Sequence, residues 1–400
     1  MAKQALTAAA VEFREAGESD AVAGVRPKWV ATADGTESAA AVLRVAAEHD
    51  LSVVPRGSGS KLDWGAAPRE VDLVLDVSAA SGIVEHAAGD LVVHAKAGTP
   101  LAEVRQAVSA AGQQLAIDQP LPTATVGGVI ATATSGPCRH LFGGVRDLLI
   151  GITVVRPDGA VTISGGKVVK NVAGYDLGKL YTGSFGTLGV ITEAVFRLHP
   201  QAAEHRWITV RADDPDAAAQ AVDHVRHSQA MPSAIELDRP GPGSPFEVTA
   251  QIEGMPNATH ERALELAAEI GGTVAEQPPE WWGRYPAAGT GLRLGIEPKA
   301  LAALLTALHD TDVALRGAAG IGVLHAEVPE STDPAAVADL VGDLRARCDY
   351  AVLLQAPQEV RAVVDPWGPI DPGVLTLMRR TKDQFDPGHR LAPGRFVGGI

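Results

Sequence analysis

Cysteine is scarce: the 400-residue chain has two, Cys138 and Cys348. Two thiols exclude a four-cysteine zinc or iron–sulfur site within one chain. If electrons leave through an iron–sulfur cluster, that cluster sits on another subunit. Aromatic residues make up only 4% of the chain. No apolar run approaches the roughly 18 residues of a membrane span. Basic charge is also short, with a formal net charge of −14 and no Lys/Arg cluster. That balance argues against a nucleic-acid backbone as partner, and an anionic membrane surface would repel the chain. The N-terminal run MAKQALTAAAVEFREAGESD reaches its acids too soon after a short Ala-rich stretch to resemble a signal peptide, so a cytoplasmic protein is expected.

What is present is globular in texture, with 46% hydrophobic and 20% charged residues. The length suggests two domains. The 43 glycines and 27 prolines imply many turns without a low-complexity tract. Trp29-Val30-Ala31-Thr32 reads as a strand, Thr36 caps a helix, and Leu51 to Pro55 is the next strand. Further strands are expected at 71–77, in a hairpin over 83–97, and at 148–155, 160–163 and 188–198. Thr99-Pro100 opens a helix, with the Thr99 hydroxyl as cap and the proline in the first turn, that ends by Gly112. Residues 113–144 are dense in Gly, Thr, Pro and Ala and lack periodicity, and a long loop region of this kind inside a domain is usually functional.

After His199-Pro200 strands and helices alternate. Strands are expected at 206–211, 234–238, 246–253, 291–296, 321–328 and 350–355, with helices at 215–228, 258–270, 298–309 and 333–347. The pattern predicts an antiparallel sheet with helices on one face, ferredoxin-like in kind. The domain expectation is therefore 1–200, a cap over 201–370, and a C-terminal segment over 371–400 with a helix at 373–385.

Two glycine-rich segments stand out. Pro55-Arg56-Gly57-Ser58-Gly59-Ser60-Lys61 follows a strand. It fails the Rossmann fingerprint, because position 62 is Leu and no helical period begins there. Glycines still let successive backbone N–H groups converge on an anion, with Ser58 and Ser60 adding hydroxyls and Arg56 or Lys61 balancing charge. A plain surface turn is the alternative. The second segment, PLPTATVGGVIATATSG over 120–136, is read as another backbone-donor loop. Two such loops suit a ligand with a diphosphate and a flat ring, although chance could also place two glycine loops in one domain.

Five ordered motifs carry a family resemblance: PRGSGSKLDWG (55–65), ATVGGVIATATSG (124–136), FGGVRDLLIGITVVRPDG (142–159), KNVAGYDLGKLYTGSFGTLGVITEAVFRLHP (170–200) and FDPGHRLAPGRF (385–396). Together they resemble the FAD-binding domain of the vanillyl-alcohol-oxidase, or PCMH, type, and within it the FAD-binding subunits of glycolate oxidases. The resemblance implies an α+β protein: an FAD-binding domain of two α/β subdomains plus the ferredoxin-like cap. By that resemblance Pro55, Arg56, Gly57, Ser58, Gly59, Ser60 and Lys61 hold the pyrophosphate. Pro120, Thr125, Val126, Gly127, Gly128, Ala131, Ser135 and Gly136 line the flavin and ribityl chain. Gly186, Val190 and Ile191 approach the adenosine end. Many relatives attach FAD through a histidine in the first loop; this loop has Ser60 and no histidine, so a non-covalent FAD is expected. The resemblance also implies a small 2-hydroxy acid as substrate, and a second flavin subunit and an iron–sulfur subunit as partners.

Oxidation of a hydroxy acid needs a cation for the carboxylate and a base for the hydroxyl proton. Arg284, within Trp281-Trp282-Gly283-Arg284-Tyr285, is the candidate clamp, unless this is a surface loop packed under the cap. His325 is the candidate base and Tyr285 its substitute; a histidine satisfied within the sheet is the alternative. His224 and His227 have a spacing that could bind metal, but Asp223 and Arg226 beside them favour solvated surface, and no metal is expected. Cys138, in the flavin-side loop, reads as a space-filling thiol. The thin set of acid and base groups over 201–370 leaves two rivals: an FAD-carrying scaffold or relay subunit, and a stand-alone FAD dehydrogenase for another alcohol.

Overall fold

Val53-Val54 and Leu73-Val74-Leu75 are short apolar runs, the pattern of strands covered on both faces. In the computed structural model, which describes residues 2–9, 11–167, 174–286 and 289–400, they pair in parallel within a four-stranded sheet. Its order is Glu12–Glu15, Trp29–Thr32, Leu73–Asp76, Val53–Arg56, with only the first strand antiparallel. Helix Thr36–Glu48 covers one face through Ala39, Val42, Leu43 and Ala46. A second, five-stranded antiparallel sheet runs Ile83–Ala87, Val92–Lys96, Val190–Arg197, Leu149–Val155, Val161–Gly165. Helices Leu101–Ser109 and Val126–Thr132 pack on it through Val104, Val108, Val129 and Ile130. Val155 and Val190 join the core of the first sheet and tie the two layers together.

Residues 204–355 form one eight-stranded antiparallel sheet. It is built from two successive β-α-β-β-α-β units, each in the spatial order fourth, first, third, second strand. The units join where their second strands, Ala234–Arg239 and Ala314–Ala318, pair antiparallel. Alternation sends Leu237, Leu315, Leu324 and Leu292 to one face, where the four helices cover them. The other face is turned toward the first two sheets. The expected ferredoxin-like cap is thus a pair of such units sharing a sheet. Strand Ala314–Ala318, absent from the sequence reading, is what joins them. Its five residues carry no clear alternation, and Gly317 lies so near its partner that a Cβ would meet Val323 O at 2.7 Å.

Two other local readings change. Thr99 does not cap the helix after it; its hydroxyl donates to Gly82 O and accepts from Gly82 N, pinning the start of the hairpin. Residues 113–144 hold two short helices, Val126–Thr132 and Arg139–Phe142, where sequence showed only loop, and a third, Val145–Leu148, follows directly. Gly127 and Gly128 conceal the first of them, because glycine disfavours helix by propensity and packing overrides it here.

The chain then returns to its beginning. Helix Pro372–Phe385 leads into Leu391, which forms a parallel bridge to Val53, with Val53 N donating to Arg390 O and Ala392 N to Val53 O. Lys382 Nζ, fully buried, binds Asp386 Oδ2, Thr187 O and Leu391 O at 2.7, 2.7 and 2.8 Å. Among the described residues no helix is long and apolar enough to cross a membrane.

Candidate functional site

Gly57 and Thr125, 68 positions apart in the chain, touch: a Cβ on Gly57 would lie 2.3 Å from Thr125 Oγ1. The two glycine segments therefore close on one cleft. Pro55 to Lys61, Thr125, Gly127, Gly128, Ala131, Gly186 and Ile191 line it, with Val77, Phe185, Gly189 and Arg395. Gly186, at φ +74, sits against the Pro55 ring with no room for a side chain. No helix starts after Gly59; residues 58–66 are turns and bends.

The two segments play different parts. None of the backbone amides from Gly57 to Lys61 donates to a protein group in the described structure, and such a run of free N–H groups is an anion cradle. The amides at 126–128 are already committed: Val126 N to Thr99 O, Gly127 N to Ala97 O, Gly128 N to Thr125 Oγ1. The second segment is thus not a donor loop, as its composition implied; its glycines give close approach. A Cβ on Gly127 would strike Ala97 Cβ at 2.8 Å.

The two cations of the first loop also diverge. Arg56 is held by Asp20 at 2.7 Å and Asp76 at 2.5 Å, so its charge is neutralised inside the fold. Lys61 has no carboxylate partner among the described residues, although only 8% of it is exposed. Its Nζ lies 3.8 Å from the Cβ position of Gly128 and 5.9 Å from the Trp64 ring centroid. Burial pushes this ammonium down to about 8. A buried cation without a counter-charge, beside free amides, fits an anionic ligand group.

A second, narrow cavity lies between the flavin-side segment expected at 120–136, with Arg139 just beyond it, and the open face of the large sheet. It is lined by Pro120, Ser135, Gly136 and Arg139 from below, Gly283 to Tyr285 from the side, and Glu236, Arg316 and His325 from the sheet. Register places Asp238 opposite Arg316, Arg316 opposite His325, and His325 opposite Arg293, a polar row across four strands. Arg316 Nε donates to Asp238 Oδ1 at 2.6 Å and its guanidinium lies 5.7 Å from the Trp281 ring centroid. The His325 ring stacks on Tyr285 with centroids 3.9 Å apart, and Tyr285 OH donates to Ser135 O at 3.1 Å. Burial, helped by Arg293 and Arg139, drives the His325 imidazole down to about 3, so it is neutral at physiological pH. Burial raises the Tyr285 phenol. Glu236 is 3% exposed, and burial, with Asp118 near, holds its carboxyl well above the usual range.

Residues 27–165 match the family described as FAD binding domain. This stretch is an FAD-binding domain. Over 217 residues the chain is 35% identical to glycolate oxidase subunit GlcD of Bacillus subtilis, covering 54% of this chain and 46% of that one. Over 151 residues it is 40% identical to glycolate oxidase subunit GlcE of Escherichia coli, covering 37% and 43%. The matched stretches span less than half the length of these relatives. In three dimensions the chain resembles p-cresol methylhydroxylase with TM-score 0.69 at 16% identity, over 93% of this chain and 89% of that one. The FAD-binding domain accordingly has the PCMH-type α+β fold.

Thirteen of the positions expected to hold the flavin line the first cleft, and Pro120, Ser135 and Gly136 line the second cavity. Val126 and Val190 line neither; their side chains are 0% and 1% exposed in the cores beneath the FAD-binding domain's sheets. Strand alternation explains Val190, which faces inward where its neighbour Ile191 faces the cleft, and Val126 opens a helix whose apolar side packs into the core. Arg284, Tyr285 and His325 do converge on one cavity. Arg284 is an exposed lining residue, however, whereas Arg316 is held in place by Asp238. Sequence reading missed Arg316, Arg139, Arg293, Glu236 and Asp118, which no local signal in the chain marks, because strand pairing and loop packing bring them together. His224 pairs with Glu269 at 3.0 Å and His227 bonds Asp223 O at 2.9 Å on the surface. Cys138 N donates to Asp118 Oδ2 at 2.8 Å, and burial raises its thiol well above the usual range.

Proposed function

We propose that the chain is an FAD-dependent oxidoreductase acting on the CH–OH group of a small 2-hydroxy acid, as a subunit of a glycolate-oxidase-like assembly. The observation that carries this reading is the adjacency of two sites along one segment. Thr125, Gly127, Gly128 and Ala131 face the first cleft, and Ser135 and Gly136, four residues on from Ala131, face the second cavity. A cofactor held in the first is brought to a substrate held in the second.

The free amides of Gly57 to Lys61 and the ammonium of Lys61 would hold the diphosphate, and Thr125, Gly127, Gly128 and Ala131 would face the ring system. When bound, the flavin supplies an acceptor for hydride. This chain's residues do the rest. The guanidinium groups of Arg316, Arg139 and Arg284 hold the substrate carboxylate. Tyr285 and His325 close the cavity against water, with the tyrosine anchored to Ser135 O. Among the described residues, those lining the first cleft include no histidine, cysteine or tyrosine, which supports a dissociable FAD. Acid precipitation should leave the yellow colour in the supernatant; colour retained in the pellet contradicts it.

The partners proposed are a second flavin subunit and an iron–sulfur subunit, supported by the likeness to two named glycolate oxidase subunits. Anaerobic mixing of the FAD-loaded chain with glycolate and D-lactate tests the reading. Loss of visible flavin absorbance with one of them is expected. Bleaching that requires an added partner subunit instead favours an electron-relay role.

A further inference from the structure

Two buried polar atoms in the second cavity have nothing to bond. Glu236 Oε1 and His325 Nε2 lack a hydrogen-bond partner among the described residues, although their residues are only 3% and 6% exposed. Groups left unsatisfied in this way are rare in native proteins and point to a ligand that completes them. The polar row explains how the two differ. His325 lies in register between Arg316 and Arg293, two cations that oppose any further positive charge. Glu236 sits near Asp118, so taking up a proton removes one of two neighbouring negative charges. Tyr285, the third polar group, already donates its proton to Ser135 O.

We propose that Glu236, and not His325, accepts the proton that leaves the substrate hydroxyl. The proposal rests on the 2-hydroxy-acid reading above. The substrate O–H bond breaks and its proton passes to a Glu236 carboxylate oxygen. The O–H electron pair becomes the second bond of the new carbonyl, and the α-carbon's hydrogen leaves with its electron pair to the oxidised flavin, giving a 2-oxo acid. His325 stays neutral throughout and serves as a hydrogen-bonding wall stacked on Tyr285. The shifted affinities agree in sign: burial favours a proton on Glu236 and disfavours one on His325. Resting Glu236 must first lose its proton, so the rate rises with pH. Asp118, Asp238, Arg316, Arg139, Arg284, Tyr285 and His325 are titratable and charged groups about it that set where.

The test uses the FAD-loaded full chain as wild type, Glu236→Gln, Glu236→Asp and His325→Gln. Anaerobic single-turnover reduction by glycolate and D-lactate is followed from acid to alkaline pH, and glyoxylate and pyruvate binding is measured by calorimetry. Glu236→Gln should bind the oxo acid within a few fold of wild type, yet reduce about 10²- to 10⁴-fold more slowly and without the pH limb. Glu236→Asp, which also covers a Gln variant that fails to fold, should be slower with its limb retained. His325→Gln should keep the limb. Wild-type rates in Glu236→Gln, or a limb lost in His325→Gln, overturn the assignment. A wild type that neither hydroxy acid reduces overturns the substrate reading instead, and the proposal with it.

Discussion

Arg56 and Lys61 stand five positions apart in one loop, and either could serve a phosphate by sequence. The difference arises from Asp20 and Asp76, which come from separate elements to neutralise Arg56 and leave Lys61 alone. Replacing Lys61 by Met should weaken FAD binding about 10- to 100-fold, the loss expected for a charge-assisted hydrogen bond. The pH dependence has a definite sign. The flavin-free ammonium is lowered from its ordinary value to about 8. Only the protonated form attracts a diphosphate, so FAD affinity should be steady near neutrality and fall as pH rises above about 8. In Lys61→Met that alkaline fall should vanish. Fluorescence titration of FAD across pH measures both, and an unchanged affinity in the variant would remove Lys61 from the site.

At the scale of elements, the first loop and the helix Val126–Thr132 must lie against each other. Thr125 supplies that contact: it caps its own helix by accepting from Gly128 N and abuts Gly57. Gly57→Ala places a methyl 2.3 Å from Thr125 Oγ1, so the cap or the loop must move. Overpacking of this sort costs about 1–3 kcal/mol, and the shift should also spread the cleft. Thermal unfolding of the apoprotein should show a lower midpoint, and FAD titration a weaker complex. A variant equal to wild type in both would mean the loops are not in contact. The sequence disclosed the two glycine segments but not their division of labour. The amides at 126–128 are occupied by Ala97, Thr99 and Thr125, two of which lie on a distant hairpin end.

Across the whole molecule, the last residues complete the first sheet. Leu391 lies beside Val53, and Lys382 bridges Asp386, Thr187 and Leu391 with both charges fully buried. Lys382→Met leaves the Asp386 carboxylate buried without its partner. Breaking a buried pair from one side costs about 3–5 kcal/mol, so the apoprotein's midpoint should drop by many degrees. The FAD-binding half should lose its flavin over the same range, though the substitution lies in the tail. Independent unfolding of tail and flavin site would contradict this closure.

Composition and motif order by themselves determined the kind of ligand and the α+β plan, because a diphosphate loop needs a local run of glycine and hydroxyl residues that the chain writes contiguously. Alternation after residue 200 likewise disclosed an antiparallel sheet with helices on one face. Tertiary structure alone decided which polar residues meet. Asp238, Arg316, His325 and Arg293 form a row only because four strands pair in one register. Alternation tells which face a side chain takes and nothing about its cross-strand neighbour, which is set by packing between segments far apart in the chain.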